Sequence, residues 1–310
     1  MANVARAVRT VLALVLSAPL AAQVVIGAEN RSGVIRVDVD LVNVLCSVRD
    51  RSGGWATGLG RGDFEVREDG RSREITHFAA DTDSPMTVAL MVDVSGSVSG
   101  ILGVERDAAR RFLEEVLRPG DRALVGGFGS TIPIWQDLTD SAAALRAGLE
   151  QMSGRADYGE GARPRGGTLL YDAVTLVSTR KLAEQAGRKT LVLITDGVDN
   201  GSTAKPGEAV KAAQQADAVV FAIHYTPQSR GFAMGHGELE RLARATGGRV
   251  FEVGEKMPLE RAFGEIAEEM RHQYSLGFAP AKRDGEYHKL EVRVKPPGMK
   301  AAAREGYWAR

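Results

Sequence analysis

Three short polar segments of this chain carry the oxygen donors that a hard divalent cation prefers. The first places Asp93, Ser95 and Ser97 at alternate positions of a tight, glycine-containing turn. The second begins at Thr168, behind two consecutive glycines, and the third centres on Asp196, which a glycine follows directly. Carboxylate and hydroxyl oxygens are the kind of donor that Mg²⁺ binds in proteins. These five residues are therefore the candidate metal ligands of the chain.

Two of the three segments directly follow runs of residues that predict buried strands. Val88–Val92 and Leu191–Ile194 are apolar and uncharged, which is typical of parallel strands buried on both faces. An apolar, alanine-containing helical pattern follows Thr168. The carboxyl ends of parallel strands meet at one edge of a sheet, and open α/β sheets bind their ligands at that edge. We therefore expect the five candidate residues to converge there.

A purely structural interpretation also exists for each segment. Asp93 and Asp196 have the residue type and position of helix caps, and Ser95 and Ser97 are common turn formers. Such roles account for any one segment taken alone. The occurrence of all three in one chain, each beside the element that would place it at the sheet edge, favours the metal site.

The central part of the chain has the pattern of an α/β fold. Strand and helix patterns alternate from Val88 to Met270, which predicts a doubly wound, mostly parallel sheet flanked by helices. We place this domain at residues 85–273. Within it we expect a long helix over residues 168–186 and an edge strand over residues 132–135.

The two ends of the mature chain are rich in β features. Residues 33–82 contain short runs of alternating and β-branched residues between polar turns, including a predicted return strand over residues 73–78. Residues 274–310 show the same features. Each segment is too small to bury a core alone. We therefore predict that the two pack together as a small sandwich-like β module, split in sequence around the α/β domain.

The first residues have the pattern of a secretory signal peptide. Arg6 and Arg9 precede the apolar run Val11–Leu16, and small residues follow as far as Ala22. We expect residues 1–22 to be this signal peptide, with cleavage after Ala22; a retained membrane anchor is the alternative. No other stretch predicts a membrane span. The predicted location is extracytoplasmic, periplasmic or secreted, in a bacterium.

Composition and motifs exclude several classes of protein. Lys and Arg together number 40, as do Asp and Glu, so no excess of positive charge marks a nucleic-acid partner. The only cysteine, Cys46, falls in a strand pattern and is predicted to be a buried apolar residue. The five histidines lack the spacing of a zinc site, and neither a P-loop nor a Gly-x-Ser-x-Gly motif occurs. We expect a protein that is not an enzyme.

Two other segments have weaker signals. Residues 153–167 form a charged, glycine-rich loop that leads into Thr168; the loop either covers the site and carries specificity or is a solvent loop. Arg61-Gly62-Asp63 matches a tripeptide of integrin ligands, but we interpret it as a turn before a strand at Phe64. We expect Asp199 to be a turn residue and His224 to be structural.

Together, Asp93, Ser95, Ser97, Thr168 and Asp196 resemble the metal-ion-dependent adhesion site (MIDAS) of von Willebrand factor A domains, which integrin inserted domains share. All five motif positions match, in the family's order. Over nearly the whole mature chain, the arrangement also resembles a bacterial exported family, the VWFA-related Acidobacterial domain proteins. The specific parts are DFEVREDG, the metal site and the closing segments QYSLGF, YHKLEVRVKPPG and REGY.

The resemblance implies a protein-recognition site built around Mg²⁺, with Mn²⁺ and Ca²⁺ as alternatives. In the family, the hydroxyls bind the ion directly or nearly so, and the aspartates act largely through water. The ion's charge is then poorly neutralised and attracts an Asp or Glu carboxylate of a partner protein. The implied function is non-catalytic partner binding through this bridge. A structural envelope component with a stabilising metal is one alternative, and a Mg²⁺-dependent hydrolase is another; Ser95 stands where an aspartyl phosphatase has its second aspartate.

Overall fold

A computed structural model describes residues 41–80, 84–95, 102–152, 167–225 and 235–309. Several predictions fall outside these ranges: the signal peptide over residues 1–22, the candidate ligand Ser97 and most of the loop over residues 153–167. Within the described ranges, no helix combines the length and the apolar character that a membrane crossing requires.

The secondary structure of the described residues follows the predicted order of β-rich, α/β and β-rich segments. The strands are β1 (Val42–Arg49), β2 (Phe64–Glu68), β3 (Arg71–Arg73), β4 (His77–Ala80), β5 (Met86–Asp93), β6 (Arg122–Phe128), β7 (Ile134–Thr139), β8 (Arg188–Thr195), β9 (Ala218–Tyr225), β10 (Val250–Val253), β11 (Gln273–Phe278), β12 (Tyr287–Val294), β13 (Lys300–Ala303) and β14 (Gly306–Trp308). The helices are α1 (Leu102–Val116), α2 (Ala142–Glu150), α3 (Leu170–Val177), α4 (Pro206–Gln215), α5 (His236–Thr246) and α6 (Leu259–Arg271).

A six-stranded sheet forms the centre of the α/β part, in the order β10-β9-β8-β5-β6-β7. All neighbouring strands are parallel except β7, which runs antiparallel to β6 at one edge. Every residue of β5 and β8 is buried, because helices cover both faces of the sheet. The predicted α/β fold with a largely parallel sheet is thus confirmed. The chain's apolar runs are the strands that such a sheet requires.

Alternate residues of β5 divide between two apolar cores, one on each face of the sheet. Val88 and Leu90 pack with α1, α2 and α6, where Phe112 and Phe263 stack with ring centroids 4.7 Å apart. Ala89 on the opposite face packs with α3, α4 and α5. Burial of these side chains fixes the sheet and the helices as one body, since each large apolar side chain contributes about 1.5–3 kcal/mol. The carboxyl end of β5 is therefore held in place from both sides.

Strands from both ends of the described chain combine in two antiparallel sheets. One has the order β13-β1-β11-β4 and the other the order β14-β12-β2-β3. Strand β1 pairs with β11 and β13, and β2 pairs with β12. A third apolar cluster includes Cys46, Phe64, Leu276 and Tyr307, so the cysteine is buried as expected. The division of the chain into the predicted domains remains a prediction.

Three predicted elements have different bounds in the structure. The return strand over residues 73–78 is two strands in different sheets: β3 pairs with β2, and β4 pairs with β11. The long helix over residues 168–186 begins only at Leu170, and after Val177 it continues as a short π-helical turn over residues 178–182, closed by an Ala183 N–H to Ser178 O bond. The edge strand predicted over residues 132–135 is β7.

Candidate metal centre

Asp93 ends the central strand β5 with its side chain fully buried. Its Oδ1 accepts a hydrogen bond from the Ser95 amide at 2.9 Å, and its Oδ2 accepts one from the Thr195 hydroxyl at 2.7 Å. Burial raises the pKa of Asp93, and the Asp196 carboxylate also raises it; the bonds from Ser95 and Thr195 act in the opposite direction. No cationic side chain is among the described groups that shift this pKa.

Asp196 directly follows the neighbouring strand β8 and is also buried. Its Oδ1 accepts a hydrogen bond from the Val198 amide at 3.1 Å. Its backbone is packed tightly, since Gly197 and Gly235 both have positive φ, of +74° and +83°, and face each other. A Cβ on Gly197 would lie 2.7 Å from Gly235 O, and a Cβ on Gly235 would overlap Asp196 O. Two glycines thus let the β8 loop and the start of α5 fix Asp196.

Thr168 is buried and precedes α3. Its amide donates to Asn200 Oδ1 at 2.5 Å, and the Asn200 amide donates to Thr168 O at 3.3 Å. The next residue, Leu169, donates its amide to Gly129 O at 3.0 Å. Thr168 is therefore held between the loop after β8 and the residue that follows the end of β6, just before the helix begins.

The structure places four of the five candidate residues at the carboxyl edge of the central sheet. Asp93 and Ser95 are hydrogen-bonded, and the Asp196 carboxylate is near enough to shift the pKa of Asp93. Thr168 joins the same edge through Gly129, whose added Cβ would lie 3.6 Å from the Ser95 amide nitrogen. Ser97 lies outside the described residues. The assignment of the five as metal ligands remains a prediction.

Two side chains that the sequence analysis did not single out support this edge. The Thr195 hydroxyl bonds Asp93, and Asn200 holds Thr168. Both lie in the third polar segment, within four residues of Asp196, so a fuller inspection of that segment would have found them. Asp199, predicted to be a turn residue, accepts bonds from the Ser202 hydroxyl at 2.5 Å and from the Tyr171 amide at 3.2 Å, and so ties the turn to α3.

Glu105, near the start of α1, is a third acidic residue of this region that the sequence analysis missed. Its side chain is fully buried. Burial raises the pKa of Glu105 to about 8, and the nearby Asp93 carboxylate contributes to that increase. Glu105 lies four residues before the buried Ala109 and seven before Phe112, so it occupies the buried face of the helix.

His224 has the structural role that its position predicts. The side chain is buried at the end of β9, and Nε2 lies 3.2 Å from Asp196 O. Its ring packs edge to face against His236, which pairs with Glu252 at 3.0 Å. No group of three or more His, Cys, Asp or Glu side chains in the described ranges is arranged to hold a metal ion. A metal centre at this edge would have to include hydroxyl donors.

The donor chemistry of the edge fits a hard divalent cation. Asp93 and Glu105 are buried acidic side chains, and the Asp196 carboxylate is one of the groups that raise the pKa of Asp93. Burial of a charged carboxylate without a counter-charge destabilises a protein by several kcal/mol. Removal of one partner of a buried ion pair costs about 3–5 kcal/mol. The nearby donors are oxygen atoms of Ser95 and Thr168, which match Mg²⁺, Mn²⁺ or Ca²⁺. The residues present are therefore compatible with the predicted cofactor.

Comparison with known proteins agrees with the class of domain that this fold and edge define. Residues 88–198 match the family model of the von Willebrand factor type A domain. Proximal thread matrix protein 1 from the mussel byssus, solved with zinc in its MIDAS motif, is similar with a TM-score of 0.51 at 17% identity, over 66% of this chain and 50% of the mussel protein. A von Willebrand factor type A protein from Catenulispora acidiphila has a TM-score of 0.50 at 12% identity, over 89% of this chain and 76% of that protein. No curated protein sequence matches the chain.

Residues 88–198 are therefore similar to a von Willebrand factor type A domain, as the sequence resemblance predicted, and the two solved structures agree in fold. The identities to the solved structures are low, so these structures support the fold alone. Membership of the VWFA-related Acidobacterial domain family stays a prediction.

Proposed function

We propose that this chain is an exported, non-catalytic protein that binds a partner protein through a divalent cation, Mg²⁺ in the first instance. The ligands are Asp93, Ser95, Ser97, Thr168 and Asp196. The observation that carries the proposal is the convergence of two buried aspartates, Asp93 and Asp196, at the carboxyl edge of the sheet, where the Ser95 amide donates to Asp93. The zinc-occupied MIDAS motif of the mussel protein supports a divalent ion in this class of domain.

The residues around the aspartates hold the donors in place before any partner arrives. The Ser95 amide and the Thr195 hydroxyl fix both oxygens of Asp93. Asn200 fixes the backbone of Thr168. A preorganised donor set avoids the entropic cost of ordering these side chains on binding.

The bound ion would supply a positive charge and exchangeable coordination positions, which a carboxylate of the partner can occupy. Neutral hydroxyls in the donor set leave part of that charge available. Specificity for an acidic partner residue follows from charge and oxygen chemistry together. The chain's own residues bind and orient the ion, and none of them is assigned a bond-breaking step.

Capture from an envelope extract tests this function. Immobilised protein comprising residues 23–310 should retain a protein in MgCl₂ and release it in EDTA, and Ser95→Ala should not retain it. Ser72→Ala, an exposed serine of β3, is the matched control and should behave as the wild type. Amidation of carboxyl groups in the extract should abolish capture. Retention of the same proteins by Ser95→Ala, or retention that survives EDTA, contradicts the metal bridge and favours a structural role for the ion.

A further inference from the structure

Glu105 is a buried carboxylate without a visible structural role. It lies in the first turn of α1, its side chain is 0% exposed, and neither Oε1 nor Oε2 has a hydrogen-bond partner among the described residues. Buried carboxylates are ordinarily paired with a cation or with several hydrogen-bond donors, because their desolvation is costly. Glu105 has neither in the described part of the chain.

The position of Glu105 in a helix does not account for its burial. An acidic residue near a helix N-terminus gains only a modest stabilisation from the helix dipole. Leaving a buried charge without a partner costs several times more. A carboxylate that capped the helix would accept backbone N–H bonds, and Glu105 accepts none from the described residues. The helix terminus therefore offsets only a minor part of the cost.

Glu105 lies in the first turn of α1, the helix that follows β5 in the chain, and so near the carboxyl end of β5 where Asp93 lies. Among the described residues, the charged group that raises the pKa of Glu105 is the Asp93 carboxylate, which has the same sign and is itself fully buried. Asp93 is in turn influenced by the Asp196 carboxylate. Glu105 and Asp93 thus place two buried acidic groups of like charge near the carboxyl end of β5, and a cation bound at the sheet edge would offset the negative charge of both.

We propose that Glu105 is a charge-compensating residue of this centre, which raises its affinity for the divalent cation and retains the cation when no partner is bound. This inference rests on the proposed function, since it concerns the same ion. The added negative charge favours a resident cation and lessens the attraction of the loaded site for a further anion. We therefore expect Glu105 to strengthen the retention of the cation and to weaken the affinity for the partner.

Calorimetric titration with Mg²⁺, combined with thermal unfolding in EDTA and in MgCl₂, tests the role of Glu105. Glu105→Gln keeps the shape of the side chain and removes its ability to carry a negative charge beside a bound cation. We expect a loss of Mg²⁺ affinity of about tenfold or more and a smaller rise in melting temperature on addition of Mg²⁺. Asp107→Asn removes the same charge from an exposed position two residues away and should change none of these.

The outcomes separate this inference from the proposed function. If the wild type binds Mg²⁺ and Ser95→Ala does not, but Glu105→Gln binds as tightly as the wild type, the role of Glu105 is wrong and the adhesion site stands. If the wild type does not bind Mg²⁺, the proposed function fails, and this inference fails with it. If Glu105→Gln does not fold, Glu105→Met, an apolar side chain of similar size, serves in its place, and wild-type affinity in that variant overturns the inference.

Discussion

Asn200 and Thr168 exchange two hydrogen bonds across the sheet edge. The Thr168 amide donates to Asn200 Oδ1 at 2.5 Å, and the Asn200 amide donates to Thr168 O at 3.3 Å. The contact joins the loop after β8 to the start of α3 and so links two of the three polar segments that the sequence singles out. Asn200 is not itself a candidate ligand, but its hydrogen bonds help to fix the position of Thr168, which is one.

Substitution of Asn200 should weaken cation binding through Thr168. In Asn200→Ala the side-chain acceptor is lost and Thr168 is no longer fixed, so we expect a decrease in Mg²⁺ affinity of about tenfold and a stability loss of about 1 kcal/mol. Calorimetry and urea unfolding measure the two effects. Asn43→Ala is the control, since Asn43 Oδ1 also accepts one bond, from the Ser275 hydroxyl at 2.7 Å, but lies in the β module. Equal losses of affinity in both variants would contradict the positioning role.

Gly235 should tolerate no side chain, because of its contact with Asp196. Its φ is +83°, and an added Cβ would overlap Asp196 O. We expect Gly235→Ala to lower the free energy of unfolding by more than about 1 kcal/mol and to weaken Mg²⁺ binding by displacing Asp196. Gly264→Ala, in α6 with no atom within 4 Å of the added Cβ, should instead stabilise the protein by up to about 1 kcal/mol. Denaturant unfolding of the two variants measures these changes in stability. A Gly235→Ala protein as stable as the wild type would refute the argument.

His288 should make the stability of the protein depend on pH. Its Nδ1 lies 2.7 Å from Asp69 Oδ2 and its Nε2 lies 3.0 Å from Asp284 Oδ1. These hydrogen bonds, that to Asp69 first, raise the pKa of His288 above its ordinary 6.5. The charged imidazole therefore contributes stability that is fully present below pH 6.5 and is lost as the pH rises through the raised value.

The test of His288 is a comparison of unfolding free energies on both sides of about pH 6.5. The wild type should lose stability as the pH rises above that value, and His288→Gln, which does not titrate, should lack this component. His77→Gln alters an exposed histidine of β4 and should keep the wild-type slope. The idea fails if the slopes of the wild type and His288→Gln coincide.

The β module should require both ends of the chain. Deletion of residues 274–310 removes all but the first residue of β11 and the whole of β13, the two partners of β1, together with β12, the partner of β2. We expect residues 41–80 to become sensitive to protease while the α/β domain over residues 85–273 still folds. Limited proteolysis with mass spectrometry measures this. Continued protection of residues 41–80 in the deletion variant would show that the module is not split.

The sequence predicted the parts of the fold that depend on local pattern. Val88–Val92 and Leu191–Ile194 are apolar because strands β5 and β8 are covered on both faces, and that pattern is visible without a structure. The return strand over residues 73–78 was predicted wrongly, because this segment is divided between two sheets. Its first part pairs with the nearby β2, and its second part pairs with β11, which is distant in sequence. Alternation cannot reveal that a strand changes its partner.

The site was predictable to a similar extent. The spacing of Asp93, Ser95 and Asp196 after strands places them at one edge, because parallel strands end together. The hydrogen bond between Asn200 and Thr168 joins residues that are 32 positions apart, and residue type alone does not indicate it. The burial of Glu105 depends on how α1 packs against the end of a strand. Its only sign in the sequence is an acidic residue on the apolar face of α1.

The measurement that tests the central claim most directly is a calorimetric titration of residues 23–310 with Mg²⁺, run on the wild type, Ser95→Ala and Ser72→Ala. The account predicts that the wild type and Ser72→Ala bind with equal affinity, and that Ser95→Ala, which loses one neutral donor and little volume, binds at least about tenfold more weakly with an unchanged circular dichroism spectrum. Equal Mg²⁺ affinity in the wild type and in Ser95→Ala would contradict the assignment of the metal centre.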